Sequence, residues 1–340
     1  MKTVKYFLFL FLIIIIGFCV YVAVQPNSFK VSRTRTIHAP ASVVYKHVID
    51  FKNWQNWWSW TDSNPDMKIY MSEQTTGVGG SFSWDDTNGV GMIKTTQTMP
   101  NMSIEQDMQI ADFPPLTAQW NFKDNDDYLT DVTWSISADN LPFTFKMMSV
   151  LKGNMETQLG PHLERSLEKL DSVVIADMSA YTITVDGITE HSGGYYIFNS
   201  TSCKISDLEN TTAELFSKVK QYAEANHISM AGSPFVYYHF LDRENNAAMI
   251  SCCIPTTSRV ITTENDILTG QLIPFKTLKT TLLGDHKNLQ EAWKTSMKYI
   301  TENNLLLDEN GPKLETYVVD SSGSPNPADW KTEIYIALKD

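Results

Sequence analysis

The chain has 340 residues, 42% hydrophobic and 19% charged, enough apolar side chain for about two compact domains and too much for a disordered or fibrous protein. Its 27 basic residues against 39 acidic ones give a net charge of −12, which argues against the basic face that nucleic-acid binding requires. Four cysteines, Cys19, Cys203, Cys252 and Cys253, lack the paired spacing of a zinc site or a disulfide framework.

From Tyr6 to Val24 every residue is apolar, aromatic or glycine. At 1.5 Å per residue, that run of 19 is roughly 28 Å long, close to the thickness of a bilayer core. A secretory signal has a shorter apolar stretch, about 7–15 residues, followed by a small-x-small cleavage site. Here the exit reads Tyr21-Val-Ala-Val-Gln-Pro26, and Phe18 precedes Cys19 where a lipobox needs a small residue. Residues 1–25 therefore read as an uncleaved transmembrane anchor, touching the membrane through residues 6–24. Lys2 and Lys5 before the span are nearly balanced by Lys30, Arg33 and Arg35 after it, so positive charge does not set its orientation. An N-terminal span ahead of more than 300 soluble residues works as a signal anchor, which places the soluble part on the extracytoplasmic side.

Residues 26–175 carry 12 basic and 18 acidic side chains, and residues 176–340 carry 13 and 21, so neither half is a nucleic-acid-binding arm. In the first half, Phe29 to Ile37 has a strand pattern. Ala39 to Asp50 reads as a helix whose Pro40 suits the first turn. Trp54, Trp57, Trp58 and Trp60 follow. Five or six short β-rich runs come next, punctuated by Gly77-Val-Gly-Gly80, Asp85-Asp-Thr-Asn-Gly89 and Asp124-Asn-Asp-Asp127. A closing amphipathic helix is predicted from Met148 to Val174, with Leu151, Met155, Leu159, Leu163, Leu167 and Leu170 on one stripe. Ala176 to Ala180 reads as a linker. Helix, antiparallel strands and long helix in that order give an α+β fold with a curved sheet gripping a helix.

The segment Ala39-Pro-Ala-Ser-Val-Val-Tyr45, then Asp50-Phe-Lys-Asn-Trp54 with Trp57 to Trp60, Gly77-Val-Gly79, Trp84 and Gly89-Val-Gly91 resembles the polyketide cyclase/START-like (SRPBCC) superfamily over roughly residues 29–174. The resemblance implies a helix-grip fold around an apolar cavity for lipids, polyketides or other hydrophobic molecules. Trp54, Trp57, Trp58, Trp84, Trp120 and Trp134 are then either cavity lining or core, and the Trp57–Trp58 pair also suits a membrane interface.

Residues 176–340 contain an internal repeat. A helix from Thr211 to Asn226 precedes Gly232-Ser-Pro-Phe-Val-Tyr-Tyr238 and Met249-Ile-Ser-Cys-Cys-Ile254. A helix from Asp285 to Asn304 precedes Gly311-Pro-Lys-Leu-Glu-Thr-Tyr317 and Glu333-Ile-Tyr-Ile-Ala-Leu338. With leading strands near Gly194–Ile205 and Leu272–Leu283, each half is βαββ. Two halves give a pseudo-symmetric sheet with both helices on one face and a groove between them. Cys252 and Cys253, adjacent in a strand, point to opposite faces. The Gly311-Pro-x-x-Glu-x-Tyr317 and Thr332-Glu-Ile-Tyr-Ile336 signatures resemble the gyrase-inhibitor-like effector-binding domain.

Strand alternation turns this repeat into a list of pocket residues. Leu314, Thr316 and Val318 alternate with Glu315 and Tyr317, while Ile334, Ile336 and Leu338 alternate with Glu333 and Tyr335. The aliphatic sets are expected to face the helices, leaving Glu315, Tyr317, Glu333 and Tyr335 on the opposite face, joined by Tyr238 through the repeat. A carboxylate among aromatic rings attracts an organic cation, since ring faces and anion both draw positive charge. The resemblance implies the same role for Glu315 and an aromatic partner at Trp293. Glu333 also reads as an edge-strand charge that discourages sheet pairing. No metal or cofactor is expected, because no histidine stands at a ligand spacing and Gly77-Val-Gly-Gly80 lacks the Lys-Ser/Thr of a phosphate loop. The expected function is a membrane-anchored binding protein for hydrophobic or cationic small molecules, without a nucleic-acid partner. The alternative is an enzyme of the cyclase, dehydratase or small-molecule hydrolase type that uses Glu315 as acid/base.

Overall fold

A computed structural model of the protein describes residues 2–87, 89–111, 113–125, 128–242, 244–263 and 266–339. The chain forms two compact units, one ending at Asp177 and the other beginning at Met178.

The first unit opens with α1 (Lys2–Ala23), β1 (Phe29–Ile37), α2 (Ala41–Ile49) and the single turn α3 (Trp60–Ser63). Then come β2 (Lys68–Met71), β3 (Ser81–Asp86), β4 (Gly89–Met99), β5 (Ser103–Ile110), β6 (Leu116–Asn125) and β7 (Leu129–Ala138). Two helices close it, α4 (Phe143–Lys152) and α5 (Met155–Met178). Among the described residues the strands form one seven-stranded sheet in the order β1-β7-β6-β5-β4-β3-β2, antiparallel throughout. Asn88, Asp126 and Asp127, which belong to two of the predicted turns, lie outside the described residues.

The closing helix differs from its prediction in two places. Gly153, at φ 102°, breaks it, and the Asn154 side chain accepts a hydrogen bond from the Thr157 amide (3.0 Å) to start α5 afresh. Met155, Leu159, Leu163, Leu167, Leu170 and Val174 form the buried stripe, but Leu151 belongs to α4 and is 65% exposed. Helix α5 also runs on to Met178, so the first residues of the expected linker are helical. The indoles settle as core: Trp54, Trp57, Trp58, Trp120 and Trp134 are at most 1% exposed. Trp120 and Trp134, paired across β6 and β7, stack at 4.4 Å, and Trp54 lies 4.6 Å from Trp57. Trp57 and Trp58 are therefore not a membrane-interface pair. These rings pack against one another and against Phe51 and Phe82.

The second unit runs β8 (Thr182–His191), β9 (Gly194–Lys204), α6 (Leu208–Ala225), β10 (Phe235–Asp242), β11 (Ala247–Thr256), β12 (Leu268–Leu272), β13 (Phe275–Leu283), α7 (Leu289–Glu302), β14 (Lys313–Val319) and β15 (Lys331–Ala337). The predicted βαββ halves are β9-α6-β10-β11 and β13-α7-β14-β15, and each carries an additional leading strand, β8 or β12. The eight strands form one sheet in the order β12-β9-β11-β10-β14-β15-β13-β8, which is symmetric about the β10–β14 pair. Each leading strand pairs with the other half, β8 with β13 and β12 with β9. Only Ser192 and Gly193 separate β8, the last strand of the order, from β9, the second, so the sheet must curl. Gly193 permits the bend: its φ is 68°, and a Cβ there would sit 2.2 Å from the Leu272 carbonyl oxygen.

The curl gives the sheet two unlike faces. On one, α6 and α7 cover Val236, Ile250, Cys252, Leu278, Ile334 and Ile336. On the other, Tyr196, Phe235, Cys253, Leu272 and Leu314 cluster with Tyr335. Cys252 and Cys253 thus occupy opposite faces, as their alternation predicts.

Candidate functional site

The two central strands, β10 and β14, meet beneath the gap between α6 and α7, and their register decides which side chains look into it. Residues paired directly across an antiparallel ladder share a face. Glu315 pairs with Val236 on one side and Ile334 on the other, while Leu314 pairs with Tyr237 and Tyr335. Glu315 and Tyr317 therefore face the helices, and Leu314 faces away. This reverses the orientation expected for β14, because alternation separates two sets of residues without saying which set faces the helices. Leu314 and Thr316 looked like the helix-facing set only by their aliphatic character.

The reversal sorts the six candidates into two groups. Glu315, Tyr317, Tyr238 and Trp293 come together under the helices. Glu315, 3% exposed, accepts hydrogen bonds at Oε2 from the hydroxyls of Tyr238 (2.9 Å) and Tyr317 (3.1 Å), and at Oε1 from the Trp293 indole N–H. The Tyr238 and Trp293 rings meet edge to face at 5.7 Å. Among the described residues, no cation pairs with this carboxylate. Burial pushes its carboxyl above the usual range, and the three donors hold the rise back. Burial and then the neighbouring Glu315 charge drive the phenols of Tyr238 and Tyr317 well above the ordinary tyrosine value.

Glu333 and Tyr335 lie on the other face and form a separate site. Glu333 binds Lys279 (2.9 Å) and Lys331 (2.8 Å) and accepts a hydrogen bond from Tyr335 (2.7 Å). Partial burial raises its carboxyl, but these three partners outweigh burial and bring it down to about 2. Strand β15 lies between β14 and β13, so Glu333 is not an edge charge either. Its negative charge is already met by two lysines, unlike that of Glu315.

Above Glu315 the helices leave a groove of about 1730 Å³, walled by Phe216 of α6, Leu289, Trp293 and Met297 of α7, and Trp330. Phe216 meets the Tyr317 ring at 5.8 Å, and His286 meets it at 5.0 Å and Trp330 at 4.8 Å. Sequence reasoning passed over Phe216, His286 and Trp330, though the repeat held the signal for Phe216. Both helices are followed by a residue at positive φ, His227 at 52° and Asn304 at 53°. Phe216 stands as far before His227 as Trp293 does before Asn304. Phe216 and Trp293 are thus symmetry mates, as are Tyr238 and Tyr317, and the mate of Glu315 is Val236. One carboxylate alone breaks the symmetry of this aromatic box.

Residues 28–174 match the family model described as polyketide cyclase / dehydrase and lipid transport, and residues 196–339 match the GyrI-like small molecule binding domain. The chain joins a polyketide-cyclase-type domain to a GyrI-like domain. Solved structures similar to it include the C-terminal domain of EcmrR, 14% identical, with 47% of this chain and 98% of that one covered and a TM-score of 0.41. A cryo-EM structure of the EcmrR–DNA complex is also 14% identical and covers 57% of this chain and 70% of that one, with a TM-score of 0.41. A Thermus thermophilus protein is 16% identical over 44% of this chain and 98% of its own, with a TM-score of 0.35. No match was found among curated proteins.

Proposed function

We propose that this protein is a membrane-anchored receptor for hydrophobic small molecules carrying a positive charge, and that the ligand lies in the groove of the GyrI-like domain with its cation at Glu315. The observation that carries the reading is a carboxylate only 3% exposed that has neutral donors and aromatic rings around it and no cation. An unpaired buried carboxylate costs about 3–5 kcal/mol, and each hydrogen bond to a charged acceptor gives back about 1.5–3 kcal/mol. The donors thus keep Glu315 tolerable when the groove is empty, and a ligand cation supplies the opposite charge they lack, with ring faces adding to the attraction. Helix α1 is long and apolar enough to span a membrane, and in this reading it anchors the soluble units on the extracytoplasmic side.

The test is equilibrium binding of a lipophilic cationic dye and of its uncharged isostere to the full chain in detergent. Glu315→Gln is expected to weaken the cation at least tenfold and to leave the isostere within about twofold. Equal loss for both dyes, or none for either, refutes the site. The raised carboxyl of Glu315 also suits proton transfer, and recovery of the dye unchanged after prolonged incubation separates binding from acid–base turnover.

A further inference from the structure

The short helix α4 stands where the chain leaves α1, and side-chain contacts hold it there. Lys146, 9% exposed, donates from Nζ to the carbonyl oxygens of Gln25 (3.0 Å) and Ala23 (3.5 Å), capping the end of α1, which has no basic residue in its own last turn. Phe145 is buried between Phe29, stacked at 6.0 Å, and Phe113, edge-on at 5.3 Å. Val22 is fully buried in an α1 that is otherwise almost wholly exposed. One face of α4 is therefore fixed against the base of the apolar helix. The other presents Phe143 (44% exposed), Met148 (41%) and Leu151 (65%), with Lys152 at the end.

We infer that α4 is an in-plane interfacial helix whose Phe143, Met148 and Leu151 enter the headgroup boundary of the bilayer that α1 crosses. The inference rests on the anchor reading of α1 and goes beyond it. A single span leaves the attached domain free to tilt and swing, whereas a second apolar contact beside the exit fixes its depth and orientation. Lipid is the occupant the geometry favours, because Lys146 is tied to carbonyls within two residues of the last residue of α1. A helix at that point cannot be far from the surface through which α1 emerges. Exposed Lys152 ends the patch with charge suited to anionic headgroups.

The experiment uses the full chain with Cys19 and Cys203 replaced by alanine, since Cys252 and Cys253 are fully buried and escape labelling. Leu151→Cys, Ile13→Cys and Met102→Cys are labelled separately with a fluorophore. Each is reconstituted into phosphatidylcholine–phosphatidylglycerol vesicles carrying nitroxide lipids, with the nitroxide either near the headgroup or deep in the acyl chain. Met102 is the control: its carbonyl bonds to Phe122, which pairs with Val132 and through it with Arg35, six residues along β1 from Phe29. Headgroup nitroxide is expected to quench the Leu151 label at least twofold more than the Met102 label, and deep nitroxide to quench the Ile13 label. Quenching at Ile13 with Leu151 no different from Met102 overturns the interfacial helix and leaves the anchor standing. No quenching at Ile13 removes the anchor, and this inference falls with it. A Leu151 label shielded from water but not quenched by lipid means that a protein covers the patch, which also overturns the inference.

Discussion

Glu315 and Glu333 stand on neighbouring strands and titrate in opposite directions. The Glu315 carboxyl is raised above 4.5 by burial, so the folded state holds its proton more tightly than the unfolded chain does. Stability from this group is greatest in acid and is lost as pH rises through the ordinary carboxylate value toward the raised one. Glu315→Gln removes that slope. Its melting temperature relative to the parent is expected to rise between pH 4.5 and 8, measured by calorimetry without ligand. Glu333 is lowered to about 2, so it stabilises the fold above pH 4.5 and loses that contribution as pH falls toward 2. Glu333→Gln is expected to lower the melting temperature at pH 7, with the deficit closing toward pH 2, while affinity for the cationic dye stays within twofold. A tenfold loss of dye binding in this variant would show that the two sheet faces are not independent. Trp293→Phe keeps the aromatic wall but removes one donor to Glu315; a loss of about 1–2 kcal/mol in cation affinity is expected by titration, with the isostere unaffected.

Secondary-structure elements were legible in the sequence wherever a long periodic pattern met a clear stop. The stripe from Met155 to Val174 marks α5, and the repeated Gly-x-Pro or Gly-Pro turns mark β10 and β14. Local pattern was silent on three points. It could not say that Gly153 divides α4 from α5, because a glycine inside an amphipathic run is tolerated until tertiary packing bends the chain there. It could not say which set of β14 faces the helices, because that depends on pairing with β10 and β15. It missed β8 and β12, each of which pairs with the opposite half rather than with the strand beside it in sequence. The candidate list shows the consequence: the face expected for β15 holds, with Glu333 and Tyr335 away from the helices, whereas β14 is turned over, so Glu315 and Tyr317 join Tyr238 and Trp293 under the helices and part from Glu333 and Tyr335. Gly153 is open to a direct check. At φ 102°, a side chain is strained, and a Cβ would lie 3.1 Å from Thr157 Oγ1. Gly153→Ala is expected to cost about 1–2 kcal/mol in chemical denaturation, more than an ordinary exposed substitution.

At the scale of the whole chain, the groove draws every wall from the second unit. Among the described residues its lining runs from Ile205 to Trp330, and its floor is the β10–β14 pair. The curl of the eight-stranded sheet is also closed within that unit, by β8 on β13 and β12 on β9. Cores on both sheet faces belong to residues 183–338. A fragment from Met178 to the end should then fold alone and bind the cationic dye with an affinity within about twofold of the full chain, read by fluorescence titration. If the fragment melts cooperatively but binds tenfold more weakly, the first unit takes part in the ligand site and the groove is incomplete on its own. If it binds as well as the full chain, Glu315 with its aromatic box carries recognition by itself.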